Sequence, residues 1–464
     1  MGTPAQFDQD VFRILLYRND VTELLLEGAL DRLRLPAVSV PVHTRVAEKV
    51  TAAIKSSWNL ETYCLLTLPS GTLSEDCTRY AVLEAPRHEP TPPGMQWLPV
   101  SSCSVGSFQD PADFAAIENA LTTLDRHRRG ELPGLFGKPG WFRVVRRWVE
   151  SQTSCTGHRL TGRFRQFNAS STFSLLRFET TGPAVWFKAV GEPNVREFRV
   201  TRELARLFPG FVPRVLAVRL EWNAWLTVEV AGSHLDGNSN LHQWTAVATA
   251  LAELQLVSRG RTLHLIDAGC RDVRVCSLAE LVEPFLRAMA ELMERQTKQS
   301  PAPLSRTELL VLRTKLQDLF SEIADSAIPN AIGHLDFNPG NIIASRDRCV
   351  FLDWAEACVG HPFLTFQYLL EHLRRFRPQD GSWESALTSA YAERWRDCAS
   401  PGEIAHALAI SPLLAVFAYA TSGDPWRDPT LPSQPEIARH LRSLTRRINR
   451  EAGSITERQA PCVS

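Results

Sequence analysis

The stretch from Ile332 to Pro362, "IGHLDFNPGNIIASRDRCVFLDWAEACVGHP", constrains this chain more than any other. It places His334, Asp336 and Asn341 in the order H-x-D-x-x-x-x-N, and Asp353 at the end of the apolar run "CVFLDW". Short apolar runs bounded by turn residues read as buried strands, so the polar residues fall on the loops between them. Two carboxylates and a carboxamide held this way can accept a proton and hold Mg2+ beside a polyphosphate, which are the parts phosphoryl transfer needs. Asp336 is the candidate general base, orienting an acceptor hydroxyl for in-line attack. Asn341 and Asp353 are the candidate metal ligands, because Mg2+ favours oxygen donors. His334 is expected to keep the loop in shape by packing and hydrogen bonding. The plainer reading is a buried turn that happens to contain H, D and N. A second aspartate ending a short hydrophobic strand argues against it.

Upstream, the strand "AVWFKAV" is apolar on both faces yet contains Lys188. A lysine there is costly unless it is paired. The helical segment "EPNVREFRVTRELARLF" supplies Glu197 as the partner, with Glu203 as the second choice. A strand lysine paired to a helix glutamate is the arrangement that orients the α- and β-phosphates in protein-kinase-like folds. The loop "FNASST" lies where a phosphate-covering hairpin belongs, with backbone amides and serines in place of G-x-G-x-x-G. "NAWLTVEVAGSHL" then gives a strand running into a turn at Gly232. In such a fold this is the hinge, where backbone groups of Glu229 to Ala231 meet the adenine edge; an ordinary strand end is the alternative.

Taken together, residues 155–450 resemble the aminoglycoside phosphotransferase and choline kinase-like family of the protein-kinase-like fold. "HLDFNPGNII" matches the family's H-x-D-x-x-x-x-N-I loop, and "FLDWAEACVGHP" its metal-binding I-D-W segment with the trailing G-x-P. The resemblance implies ATP or GTP, Mg2+, and an acceptor hydroxyl on an antibiotic, sugar, choline or amino-alcohol. By position it carries over Lys188, Glu197, Asp336, Asn341 and Asp353. Ala355 stands where glycine or glutamate is frequent, and Thr365 where the family has the aspartate of a D-L pair. No signature marks the acceptor site.

Before this region, strands and helices alternate: a hairpin turning at Asn19-Asp20, a helix over "RVAEKVTAAIKSSWNL", strands at "TYCLLTLPSG", "TRYAVLEAP" and "GMQWLPVSS", and a helix with Asp113 as its N-cap. The layout is similar to that of a Nudix domain. The R-E-x-x-E-E cluster that holds metal in that family is missing, with Glu48 the one match, so a non-catalytic module is expected. The fold class that follows is α+β: a bilobal protein-kinase-like phosphotransferase preceded by a small α/β Nudix-like module. Its expected parts are residues 1–125 as the module, 126–150 as a linker, 151–232 as a β-rich lobe and 233–455 as a helical lobe.

Composition narrows the partners. Lysine plus arginine equals aspartate plus glutamate at 51 each, so no overall charge draws nucleic acid. Ten cysteines without C-x-x-C pairs argue against zinc and against a disulfide framework. Neither a basic-then-apolar start nor 18 uninterrupted apolar residues is present, so no secretion signal and no membrane span are expected. A cytoplasmic enzyme with a small-molecule acceptor is the expectation. Two readings from other classes remain: a pseudokinase-like nucleotide-binding scaffold, and a Nudix-type hydrolase.

Overall fold

The computed structural model describes residues 9–68, 79–85, 90–324, 326–346, 348–378, 380–423, 425–428, 430 and 434–459. The chain divides into two compact units, Met1–Phe198 with Arg214–Glu229, and Arg199–Pro213 with Val230–Ser464.

The first unit runs β1 (Gln9–Arg18), β2 (Glu23–Glu27), β3 (Ala37–Pro41), α1 (Val46–Trp58), β4 (Tyr63–Leu68), β5 (Arg79–Glu84), β6 (Met95–Pro99), α2 (Pro111–Arg129) and α3 (Trp141–Ser154). It continues with β7 (Leu160–Ala169), β8 (Ser174–Thr180), β9 (Val185–Ala189), the start of α4 (Val195–Leu207), β10 (Val215–Arg219) and β11 (Ala224–Val228). The first six strands form a sheet in the order β4-β5-β1-β2-β6, with β3 also paired to β1. Strand β1 is buried on both faces, and its sequence shows why. Phe12, Ile14 and Leu16 pack with Val50 and Ile54 of α1, while Leu15 and Tyr17 pack with Ile117 of α2 and Val145 of α3. The expected hairpin forms, and its turn holds Asn19, Asp20 and Val21 at φ of 51°, 57° and 72°. A β-branched residue with positive φ is a strained choice. Side-chain bonds from Arg128 and Arg143 to Asp20 hold the turn.

Two sequence expectations change here. Asp113 does not cap α2. Asp110 does, accepting from the Ala112 amide at 2.9 Å with Pro111 in the first turn. Asp113 lies inside the fold, bonded to Arg13 and, at 3.1 Å, to the Leu35 amide. Burial pushes its carboxyl pKa up. The second correction concerns the linker. Residues 130–140 do turn, but from Trp141 the chain is helical, with Trp141, Phe142, Val145 and Val149 buried at helical spacing.

These residues share one core with Tyr63 and Leu65 of the first sheet and with Phe178 and Phe187 of the second, β10-β11-β9-β8-β7. No boundary between separate cores falls at residues 125–150. The Gly-, Pro- and charge-rich stretch hid an amphipathic helix that fills the space between two sheets.

Gln166 of β7 adds a polar tie between them. Its side chain accepts from the Cys64 amide at 2.7 Å and donates to the Cys64 carbonyl at 3.0 Å, beside the β4 bulge. Replacing Gln166 by leucine would leave two buried backbone groups unpaired. Gln166→Leu should therefore lose about 2–4 kcal/mol in urea unfolding, and a loss under half of that would show that water fills the gap.

The second unit runs β12 (Ser233–His234), α5 (Leu241–Ser258), α6 (Thr262–Ala268), β13 (Arg271–Val273), α7 (Val275–Glu294), α8 (Arg306–Ala324), β14 (Ala331–His334), β15 (Ile342–Ala344), β16 (Cys349–Phe351) and β17 (Ala357–Gly360). Four helices end it: α9 (Phe363–Phe376), α10 (Gly381–Glu393), α11 (Pro401–Ser422) and α12 (Pro435–Gln459). Two three-stranded sheets, β12-β15-β16 and β13-β17-β14, sit among these helices. On length and composition α11 could cross a membrane. Its apolar residues have another cause, since Ile410, Leu413, Leu414 and Phe417 are buried against α7, α8 and α12.

Candidate active site

In the second unit the H-x-D-x-x-x-x-N loop leaves the end of β14, and Asp353 lies just past the end of β16. The β15–β16 hairpin joins them: Ile342 pairs with Phe351, and the Leu352 amide donates to the Asn341 carbonyl at 2.8 Å. This pairing brings Asn341 and Asp353, twelve positions apart in sequence, to the same end of one hairpin.

His334 locks the two loops together. Its ring is buried, with Nε2 2.8 Å from the Asp353 carbonyl and Nδ1 accepting from the Asp336 amide at 3.1 Å. One nitrogen donates and the other accepts, so the ring is the neutral tautomer with its proton on Nε2. Burial lowers its pKa, which keeps that form. Asp353 holds a left-handed backbone, φ 58° and ψ 62°, a conformation that surrounding bonds must maintain. The Trp354 ring lies 5.2 Å from His334, and its Nε1 donates to the Phe351 carbonyl at 3.2 Å.

Asp336 itself is exposed on a buried base. Asn338 donates to its Oδ1 at 3.0 Å, and the Asn341 side-chain amide donates to its carbonyl at 3.1 Å. The second bond commits the Asn341 nitrogen and leaves Oδ1 for a cation. An amide oxygen and an exposed aspartate at one hairpin end are hard donors that suit Mg2+. Among the described residues no group of three or more His, Cys, Asp or Glu gathers as a metal site.

Three residues of the loop's support were missed or misread in the sequence. Asn338 is one, its signal being only a polar residue inside the loop. Thr365 is the second: it is buried and accepts from the His334 amide at 3.0 Å through Oγ1. A hydroxyl thus does at this position what an acceptor must do, and the departure from aspartate leaves no gap. Gly333 belongs to the same contact, since a Cβ there would lie 2.6 Å from Thr365 Oγ1 and 2.8 Å from Cys358 Sγ. His372 of α9 is the third. It lies within electrostatic reach of Asp336, with a pKa lowered first by burial and then by Arg375. Only helical placement could have suggested it.

In the first unit, Lys188 of β9 and Glu197 of α4 form an ion pair at 2.5 Å, with Glu197 2% exposed. Glu203, the second choice, bonds instead to Arg206 at 2.8 Å and His264 at 3.1 Å. The "FNASST" loop is a tight turn in which Ser170 Oγ accepts from the Phe173 amide at 2.9 Å. Glu229 closes the first unit. Its amide donates to the Ala184 carbonyl at 2.9 Å, and its carboxylate takes a two-point bond from Arg177 at 2.6 and 2.9 Å. The guanidinium holds the Glu229 pKa below its ordinary value. Of the two residues expected to meet the adenine, Glu229 therefore has its amide engaged by its own sheet; Ala231 follows in the second unit.

One acid sensitivity follows from this region. His361, between Gly360 and Pro362, is buried, and neither ring nitrogen has a hydrogen-bond partner among the described residues. Burial, with His406 nearby, lowers its pKa to about 4. A depressed histidine pKa means that the unfolded chain binds the extra proton first. Stability is therefore full above about pH 6.5 and falls as the pH drops through 4, by roughly 3 kcal/mol from this ring alone. Unfolding midpoints measured between pH 7 and 4 should show the fall, and His361→Gln should flatten it.

A strand lysine with its helix glutamate in the first unit, and a loop of Asp, Asn and Asp in the second, are residue types that kinase-like phosphotransferases use. Residues 189–400 match the model of the Phosphotransferase enzyme family, APH. That span contains Glu197, Asp336, Asn341 and Asp353 and begins one residue after Lys188.

No curated protein matches the chain. Solved structures similar to it include macrolide 2'-phosphotransferase MphH from Brachybacterium faecium, at 16% identity, covering 64% of this chain and 97% of that one with a TM-score of 0.41. Choline kinase LicA from Streptococcus pneumoniae is 14% identical over 68% of this chain and 99% of its own, TM-score 0.41. An aminoglycoside phosphotransferase from Alicyclobacillus acidocaldarius is 15% identical over 63% and 92%, TM-score 0.40.

Proposed function

We propose that this protein transfers the γ-phosphoryl group of ATP or GTP to a hydroxyl of a small organic acceptor. The observation that carries the reading is the exposed Asp336 carboxylate, fixed through His334 and Asn341 to the hairpin end that bears Asp353. In the proposed step the acceptor oxygen bonds to phosphorus as the bond to the β-phosphate bridge breaks. The acceptor proton passes to an Asp336 oxygen, and the nucleoside diphosphate leaves. Asn341 Oδ1 and the Asp353 carboxylate would hold Mg2+, which when bound neutralises phosphate charge. Lys188, paired with Glu197, would orient the α- and β-phosphates, and Glu229 O with Ala231 N would meet the base. The acceptor class is proposed as a hydroxyl-bearing antibiotic, a sugar or an amino-alcohol, in line with the family resemblance.

The test is a screen of aminoglycosides, macrolides, sugars and amino-alcohols for acceptor-dependent release of ADP or GDP. Thermal stabilisation by ATP should appear only with Mg2+ present. A protein that nucleotide stabilises but that turns over no acceptor would instead fit the nucleotide-binding scaffold reading.

A further inference from the structure

Apart from the loop of Asp336, the second unit contains a cavity of about 470 Å³. One wall is a single stripe of α5, in which His242, Thr249 and Glu253 lie among alanines, and another is Phe211. The third wall is the turn of the β15–β16 hairpin, with Arg346 and Arg348 exposed at the rim.

The inside of this cavity is mostly apolar. Thr245 and Thr249 both spend their hydroxyls on carbonyls of their own helix, at 3.0 Å. Ala246, Ala250 and Ala390 add small apolar surfaces. Glu253, the one carboxylate among the lining residues, is paired with Arg394 at 2.7 Å. Among the described residues neither rim arginine makes an ion pair, while their backbone is fixed. Ser345 Oγ donates to the Arg348 carbonyl at 3.0 Å, and the Ser345 amide donates to the same oxygen at 2.9 Å. Asp347, between them in sequence, lies outside the described residues.

A cleft with apolar walls and, at its mouth, two guanidinium groups that have no ion-pair partner among the described residues has a specific complement. The body must be a ring or short apolar group, and the head an anion that can take forked N–H donors. We propose that this cavity is a second ligand site, separate from the Asp336 loop, for a small phosphomonoester with an apolar cyclic body. The turn that carries its arginines joins β15 and β16, whose far ends lead to Asn341 and Asp353, so its occupant rests on the hairpin that holds the candidate metal pair. The site stands whether or not the chain is a phosphotransferase.

Phenyl phosphate, inorganic phosphate and phenol are suitable probes, titrated calorimetrically into the full chain saturated with Mg2+ and a non-hydrolysable ATP analogue. Phenyl phosphate should bind saturably and more tightly than either fragment. Arg346→Ala with Arg348→Ala, on an exposed turn, should weaken it by about tenfold or more. Ala250→Trp, which fills the cavity, should abolish binding while Arg346 and Arg348 remain. Phenyl phosphate binding that is unchanged in both variants, or no tighter than that of inorganic phosphate, overturns the proposal.

Discussion

Asp336→Ala should lower acceptor-dependent turnover on the order of 10³-fold while leaving Mg-nucleotide affinity within about a factor of two. The reason lies in how the loop is held. The Asp336 backbone is fixed by His334 Nδ1 on its amide and by the Asn341 side chain on its carbonyl, and neither bond uses the carboxylate. Truncation therefore removes the proton acceptor without releasing the loop; Asn338 loses its bond to the carboxylate and Asn341 a longer one, at 3.5 Å, while keeping the Asp336 carbonyl. Asp353→Asn should instead weaken nucleotide binding and turnover together, because a neutral amide is a poorer Mg2+ donor than a carboxylate. A fully active Asp336→Ala protein would sink the assignment of Asp336 as base, and the Asp353 result tells whether a metal-dependent step remains.

Lys188→Met should cost the fold about 3–5 kcal/mol, the usual penalty for removing one member of a buried ion pair. Glu197 is 2% exposed and 2.5 Å from the ammonium, so the pair is largely shielded from solvent. The double variant Lys188→Met with Glu197→Leu removes both charges and should recover most of the stability. It should not recover turnover, because the role proposed for Lys188 is on the phosphates. Measuring unfolding and turnover in the same three proteins separates the two effects. A stable double variant that keeps wild-type turnover would make the pair a purely structural one.

Much of the site could be read from the chain. Asp336, Asn341 and Asp353 are set by local spacing, since a turn between two short strands needs only nearby residues to form. Lys188 stood out because a charge inside an apolar strand demands a partner, and Glu197 was the nearer candidate in sequence. The structure agrees with that pairing and gives Glu203 to Arg206 and His264. Less was legible where a residue's role depends on distant chain. Asp113 read as a cap because aspartate before an apolar run usually is one; its true partners, Arg13 and the Leu35 amide, are brought in by β1 and the segment before β3. Trp141 to Val149 read as the end of a linker because glycines, prolines and arginines crowd it, and its apolar stripe counts only once two sheets close over it.

The sequence by itself determined the spacing of the candidate site and the order of its parts, because spacing within a loop, strand or helix is local and the chemistry of carboxylates and amides travels with the residue. Only the tertiary structure decided what supports those parts. It alone shows His334 joining two loops, Thr365 accepting the bond expected of an aspartate, and Gln166 tying one sheet to another across 102 positions. Such contacts depend on which buried polar group is left needing a partner after the chain has folded, and that is settled by packing between elements far apart in sequence.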